Sequence, residues 1–450
     1  VPYTAPDLTA AQAALANRLN DPGMVRYVSA ELTIYIREAL RTWNSFTSHF
    51  RDQAGFSTTM LQAFYDLPTE IPTLRAYSVT NWDLVAELQY ALLEPAAAGG
   101  TWTGTDQFTL TQLSTAIQRR RDQFLRETGQ VVTRQEIVYA APASDGRIDL
   151  PEDVLQVRRA AWRPSATGLL IPLTRTDEWA GTNFGPAWTA CTASPFAYSV
   201  SVTPPLTLQL MCAGATQPGT LDLTSINAGA AVDPLVSAVL GIPDDWCWVI
   251  KYGALADLLN GDGLALDPGR ASYCEQRWQQ GVAQARQTSV VLSARIDDQP
   301  VTLAALNDAD SFSPTWQLLG GVPRNLLTAG GNLLASWPPP GGGGPWAFTL
   351  DVVRNVPVPV AGGDILQISQ DVYDSILDLA QCAALFKEGP GQAEQATALL
   401  ERAGRAAHVD LRIQQATQPS RAPLLNQQPQ DRRGVSQEQR NAILQPVEVD

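Results

Sequence analysis

The chain has 450 residues, 45% of them hydrophobic and 17% charged, which is enough apolar material for substantial cores in two or three domains. A net charge of −14 argues against a protein that coats nucleic acid by neutralising phosphates, while leaving room for a local basic stripe. Two distant histidines, His49 and His408, and five cysteines without C-x-x-C spacing (Cys191, Cys212, Cys247, Cys274 and Cys382) argue against histidine-based catalysis, a zinc site and a disulfide framework.

Those thiols fit a reduced state in a cytosolic assembly environment. Val1-Pro2-Tyr3-Thr4 shows no basic segment leading into an apolar core, so no signal peptide is expected. No apolar run reaches the roughly 18 residues of a membrane span.

Along the chain, Leu8 to Leu19 is Ala-rich and amphipathic. Ser29 to Phe46 places Leu32, Tyr35, Ile36, Ala39, Leu40 and Trp43 at helical spacing, with Ser29 as the expected N-cap. Phe64 to Pro72 is polar and punctuated by proline and reads as an extended loop. Thr80-Asn81 caps a helix through Leu93, and Thr111 to Thr128 forms another that Gly129 ends.

The period then changes to two. Val131–Ala140, Val154–Trp162, Tyr198–Thr203 and Leu206–Met211 read as strands of a small sheet or sandwich. Helices follow at Asp244–Leu259 and Pro268–Gln284. A second set of strands is expected at Ser289–Arg295, Trp316–Leu319, Asn332–Trp337 and Phe348–Val353, with Pro338 to Gly344 as a loop. Helices at Ser369–Phe386 and Pro390–Gln415 close the folded part. From Thr417 the chain is rich in Gln, Pro, Arg and Asn, and by itself should be extended or disordered.

The reading is α+β in four parts. Residues 1–129 form a helical part, and 130–285 a β-rich domain with a helix pair. Residues 286–416 form a second β-rich part with a helix pair, and 417–450 an extended tail. The third part echoes the second at a shift of 126 residues: Ile242-Pro-Asp-Asp245 and Ile368-Ser-Gln-Asp371 each lead into a helix, a loop and a second helix, after a strand pair around Tyr198–Met211 or Phe348–Val360. A strand–strand–helix–helix duplication and a chance match at helical period both account for this echo.

Motifs that carry chemistry are weak. The run from Asp257 to Asp267 fails as a calcium loop, because Leu258 and Gly269 fall at positions one and twelve. Gly320-Gly321, Gly330-Gly331 and Gly341–Gly344 lack the Lys-Ser or Lys-Thr of a phosphate cradle. Glu152-Asp153 and Asp244-Asp245 sit after a proline or before a helix, where carboxylates favour the positive helix end over dyad chemistry. Arg119-Arg120-Arg121 with Arg126 lies on a helix that presents Arg119 and Arg126 on one face, for DNA phosphates, a neighbouring acidic surface or solvent. Twelve tryptophans, among them Trp43, Trp162, Trp179, Trp188, Trp246, Trp248, Trp278, Trp316 and Trp346, suit cores and subunit interfaces, with sugar platforms as the alternative. Leu424-Leu425 and Ile443-Leu444 are apolar anchors in polar surroundings, as in a segment that folds on binding.

Three segments carry a resemblance. They are Leu15-x-x-Arg18-Leu19-x-Asp21 with Glu31-Leu32-x-x-Tyr35-Ile36-x-Glu38-Ala39-Leu40-Arg41; Ile148-Asp149-Leu150-Pro151-Glu152-Asp153-Val154; and Ile242-Pro243-Asp244-Asp245 before a helix with Lys251-Tyr252-Gly253-Ala254-Leu255. Their order over residues 8 to 285 resembles the head-to-tail connector proteins of tailed phages, the portal adaptors and neck proteins. The chain departs from compact members by the further sheet, helix pair and tail after Tyr273.

The resemblance implies a structural virion protein with no catalytic, metal or cofactor residues. It implies a ring, twelve copies to match the portal, docked between portal and tail or neck proteins. Genomic DNA would pass through the ring without sequence-specific contact, and location would be the virion neck after assembly in the host cytoplasm. The interaction residues expected are Leu424, Leu425, Ile443, Leu444, Arg119 and Arg126. The alternatives are another virion component, such as a tail or receptor-binding protein with sugar-binding sheets, and an enzyme whose site the sequence hides.

Overall fold

The computed structural model of the protein describes residues 4–93, 107–139, 146–164, 170–177, 194–201, 206–211, 219–261, 266–312, 316–317, 320–342 and 344–408. Helical periodicity becomes helix where it was expected. Leu8–Arg18 is capped by the Asp7 side chain, and Asn81–Ala91 and Leu110–Thr128 begin in reciprocal capping boxes built on Thr80 with Asp83 and Thr109 with Gln112. Gly129 ends the last of these at φ +63°, a left-handed turn that suits glycine.

One cap is corrected. Ser29 is the first residue of the helix Ser29–Thr47 and Val28 occupies the cap. The Ser29 carbonyl instead accepts hydrogen bonds from Thr33 Oγ1 at 2.9 Å and Gln12 Nε2 at 3.0 Å, so the first turn is tied to the preceding helix.

These helices share one core with the hairpins Cys247–Leu259/Pro268–Gln287 and Gln370–Leu385/Ala393–Ala406. Leu15, Ile36, Leu88, Ile117, Phe124, Ile250, Leu255 and Ile376 are all fully buried in it. Burial at roughly 25 cal/mol per Å² makes this the main source of stability.

Two β-sandwiches pack against the helices. One joins the sheet Thr133–Tyr139, Gly219–Asn227, Val154–Arg163, Ile171–Pro172 to the sheet Arg147–Asp149, Thr207–Met211, Ala197–Val200, Thr174–Arg175. Trp162, Tyr198, Leu208, Leu221 and Leu223 fill the space between. The other joins the sheet Arg51–Ser57, Ala347–Val353, Val291–Ile296, Gln299–Pro300 to the sheet Thr302–Ala305, Asn325–Ala329, Leu333–Trp337, Phe64–Asp66. Phe56, Tyr65, Leu326, Leu334, Phe348 and Leu350 lie between those two.

Strand pairing crosses the expected boundaries near residues 130 and 286. Arg51 pairs with Val353 and Phe64 with Ala335, so strands from the first part complete sheets of the third. All described residues through His408 belong to one compact unit. The two sandwiches are also tied to each other. Arg159 of the first donates to Asp310 of the helix Leu306–Phe312, and Trp316 Nε1 donates to the same carboxylate at 2.9 Å.

Other expectations shift for local reasons. Phe64–Pro72 is not an extended loop: Phe64–Asp66 is a strand, and Pro68 and Pro72 stand in the first turns of the short helices Leu67–Glu70 and Pro72–Arg75. Trp316–Gln317 form a turn in place of a strand, with Trp316 buried against Phe64, while Leu318-Leu319 lie outside the described residues. The closing helix runs Ala393–Ala406, and Val409 to Gln415 lie outside the described residues. The echo holds for the helix hairpins and not for the strands. Ala197–Val200 pairs with Thr207–Met211, whereas Ala347–Val353 pairs with distant Arg51–Ser57 and Val291–Ile296, and 354–360 contain no strand.

Candidate functional site

The arginine cluster divides on folding. Arg120 turns inward, donating to Asp257 at 2.5 and 3.0 Å and to Glu275 at 2.9 Å, with its guanidinium 5.1 Å above the Trp278 ring. Arg121 is fully buried and donates to the carbonyls of Ala230 at 2.5 Å and Gly229 at 3.1 Å. Arg119 is exposed but lies 2.6 Å from Asp257, and Arg126 is exposed. Two of four cations are therefore internal struts and a third is neutralised, which leaves little of a phosphate-binding stripe. Leu424, Leu425, Ile443 and Leu444 lie outside the described residues.

The acidic motifs are also spent internally. Asp244 accepts from Ser78 N and Oγ at 2.8 and 2.5 Å and from Val79 N at 3.1 Å. Asp245 accepts from Asn44 Nδ2 at 2.8 Å, and burial pushes its carboxyl up to about 6. Asp267 caps the following helix through Arg270 N, and Asp153 accepts from Asn227 at 2.8 Å.

Near Asp244 and Asp245 is a network that no sequence motif announces as such. Lys251 and Glu38 form a fully buried ion pair, and Arg41 Nη1 approaches Glu87 at 3.7 Å. Burial pushes the Glu87 carboxyl up to about 7 against the pull of Lys251 and Arg41. Burial likewise raises the Cys247 thiol well above its ordinary range. Glu38, Arg41, Glu87, Asp244, Asp245, Cys247 and Lys251 are each at most 9% exposed. No substrate reaches such groups without unfolding the helices around them, so they are ties between elements rather than reagents.

A small cleft of about 90 Å³ is lined by Gly269, Arg270, Tyr273, Leu385, Phe386, Gly389 and Ala396. Arg270 stacks 4.3 Å from the Phe386 centroid and donates to the Ala91 carbonyl at 2.6 Å. The Tyr273 hydroxyl meets Cys382 Sγ at 3.4 Å, and burial raises the Tyr273 phenol well above its usual range. The cleft suits an apolar side chain and contains no nucleophile paired with a base.

The most distinctive exposed feature is an apolar patch that sequence reasoning missed. Trp82, in the first turn of Asn81–Ala91, is 50% exposed, and Leu235, Val236 and Val239 are 81%, 56% and 44% exposed. They are neighbours because Asn81 fastens the 233–239 loop to this helix. Its amide donates to the carbonyls of Asp233 at 2.8 Å and Val236 at 3.1 Å, and its oxygen accepts from Ala238 N at 2.8 Å. The Asn81 backbone N–H reaches the Ala238 carbonyl at 2.9 Å.

The other end of the loop is held by Arg121 at Gly229 and Ala230, and by Gln118, which accepts from Val232 N at 3.2 Å. A fixed apolar surface that includes a tryptophan has the character of a binding surface. Asp83 and Asp233, both exposed, flank it with negative charge. The available sequence signal was Trp82 on the solvent side of its helix beside an apolar run, Leu235-Val236-Ser237-Ala238-Val239, that fits neither period.

The remaining described tryptophans are mostly core. Trp43, Trp162, Trp246, Trp248, Trp278 and Trp316 are buried, which removes those six as sugar platforms, and Trp346 is half-buried over the second sandwich. Trp179 and Trp188 lie outside the described residues. No known protein family matches the chain, and a search of curated proteins finds no significant match.

Proposed function

We propose that this chain is a structural subunit of the neck of a tailed phage. It forms a ring docked on the portal, joins head to tail and lines the DNA passage, with no chemistry of its own. The observation that carries the reading is the way the motifs of the resemblance are used. Glu38 of the first motif is ion-paired with Lys251 of the third, and Asn44 of the same Ser29–Thr47 helix donates to Asp245. The neighbouring motif residues Arg41 and Asp244 are tied to Glu87 and to Ser78 and Val79, and these motif residues are all buried where the Ser29–Thr47 and Cys247–Leu259 helices are joined. Residues chosen for architecture at that cost in buried charge fit a protein selected for a rigid scaffold.

Two further points support it. Arg120, Arg121, Asp153, Asp244 and Asp245 of the arginine and acidic motifs are engaged in internal ties, and the fixed patch at Trp82 offers a contact for another surface. A ring uses a heterologous contact, one face of each copy against a different face of the next. The net charge of −14 suits a passage wall along which phosphates slide without sticking.

The test is cryo-electron microscopy of particles containing this chain. A closed twelve-membered ring beside the portal is expected. A trimeric fibre, a place in the shell, or absence from the particle defeats the proposal.

A further inference from the structure

We infer that two copies of this chain dock head to tail, the Leu235 side chain of one entering the cleft beside Arg270 of the next. The contact deepens the ring reading by naming one interface, and it rests on that reading only in requiring that copies touch.

The two halves of the contact belong to opposite ends of one helix. Trp82 and the fastened 233–239 loop are at the first turn of Asn81–Ala91, and Arg270 Nη2 reaches the carbonyl of Ala91, roughly 15 Å further along the axis. Asn81 holds the loop through Asp233, Val236 and Ala238, so a copy's own Leu235 does not fill its own cleft. The side chain is nevertheless presented: Asp233 Oδ1 accepts from Leu235 N at 2.8 Å, and Leu235 stands 81% exposed. A projecting group that is already fixed gives up little freedom on binding.

Size and charge select the occupant. The cleft, about 90 Å³ between Tyr273, Leu385, Phe386 and Ala396, is well below the roughly 300 Å³ at which small-molecule sites begin, so it takes one apolar side chain. Arg270 gives it a positive charge that no carboxylate meets. The guanidinium is spent on the Ala91 carbonyl and the Phe386 ring, and its Nε is buried without a partner. Asp267, the carboxylate that acts on it from a distance, is engaged in the helix cap with Arg270 N. An incoming carboxylate is therefore favoured, and Leu235 arrives with Asp233 and Asp83, both exposed. One face meeting a different face of the next copy is the heterologous geometry of rings and filaments.

The experiment uses the full-length chain with a photo-reactive benzoylphenylalanine in place of Val236, as an equal mixture of isotopically light and heavy copies, irradiated at high concentration and mapped by mass spectrometry. Light-to-heavy cross-links to peptides carrying residues 269–273 or 385–396 are expected, with a yield that falls as salt rises. Leu235→Ser, a change at an exposed position, should lower the yield about tenfold or more. Asp233→Arg and Arg270→Asp should each lower it similarly, and the two together should recover much of it, a gain that a folding failure cannot produce.

Cross-links confined to one copy or to other surfaces, no cross-links, a yield unchanged in Leu235→Ser, or a double variant no better than the singles overturn the inference. A ring seen beside the portal without these cross-links would defeat this contact and leave the neck reading standing. The cross-links without such a ring would do the reverse.

Discussion

Lys251 is an ordinary ammonium placed where water does not reach, 3% exposed and paired with Glu38 at 3%. Its removal alone leaves a carboxylate buried without its cation. Lys251→Met should therefore cost about 3–5 kcal/mol in denaturant unfolding, while Lys251→Met with Glu38→Leu should recover most of the loss. Glu87 sets a pH dependence. With its carboxyl at about 7 in the fold and near 4.5 when unfolded, the folded chain holds the extra proton between those values. That contribution is complete below about pH 4.5 and is lost as pH rises through 7, a change on the order of 3 kcal/mol. Asp245, raised to about 6, adds in the same direction. Glu87→Gln should flatten the slope of stability between pH 5 and 8 as read by thermal unfolding, and an unchanged slope would assign it elsewhere. None of this was legible in the sequence. Lys251 sits in a helix read correctly, but no local pattern says that a charged residue faces the core when its partner is 213 positions away.

Elements were legible where one face is apolar and the other polar. The helices Ser29–Thr47 and Leu110–Thr128 fall within a residue of their expected ends because their stripes are clean. Strands escaped for two opposite reasons. Arg51–Ser57 is an edge strand whose only buried residue is Phe56, so it has no pattern to read. Gly219–Asn227 is a central strand buried on both faces, with Asp222, Thr224 and Ser225 inside, so its alternation is erased.

The helices Cys247–Leu259 and Pro268–Gln287 pack closely, each offering a glycine to the other's bulk. A Cβ on Gly253 would come within 2.5 Å of the Trp278 ring, and one on Gly281 within 2.4 Å of Val249. Gly253→Val should destabilise by about 1–3 kcal/mol or more, and Gly281→Val similarly, measured by urea unfolding. A surface variant such as Ser311→Val, outside this contact, should change it by less than about 0.5 kcal/mol.

At the scale of the molecule, the buried residues of the apolar cores among the described residues lie between Leu8 and Ala403. Truncation after Gln415 should leave the unfolding midpoint unchanged while weakening entry into the assembly, as scored by incorporation into particles. A truncated chain that assembles like the full one would assign no role to the last segment. The α+β class was legible from the switch of period, and the helix hairpins from their repeats. The interleaving of sheets was not, because nothing in Arg51–Ser57 identifies a partner near residue 350.

That pairing has a consequence during synthesis. Arg51–Ser57 and Phe64–Asp66 leave the ribosome early, yet their partners Leu333–Trp337 and Ala347–Val353 are still to be translated. At roughly 5–20 residues per second, the wait is on the order of 15 to 60 s. Through that interval the nascent chain presents unpaired strand edges, which are templates for aggregation. The upstream helices meanwhile have their own partners only as far as the ribosome has advanced. Stalling the ribosome just before residue 333 should therefore yield a nascent chain sensitive to protease at 51–66 and dependent on a chaperone, and stalling it well past 353 should not.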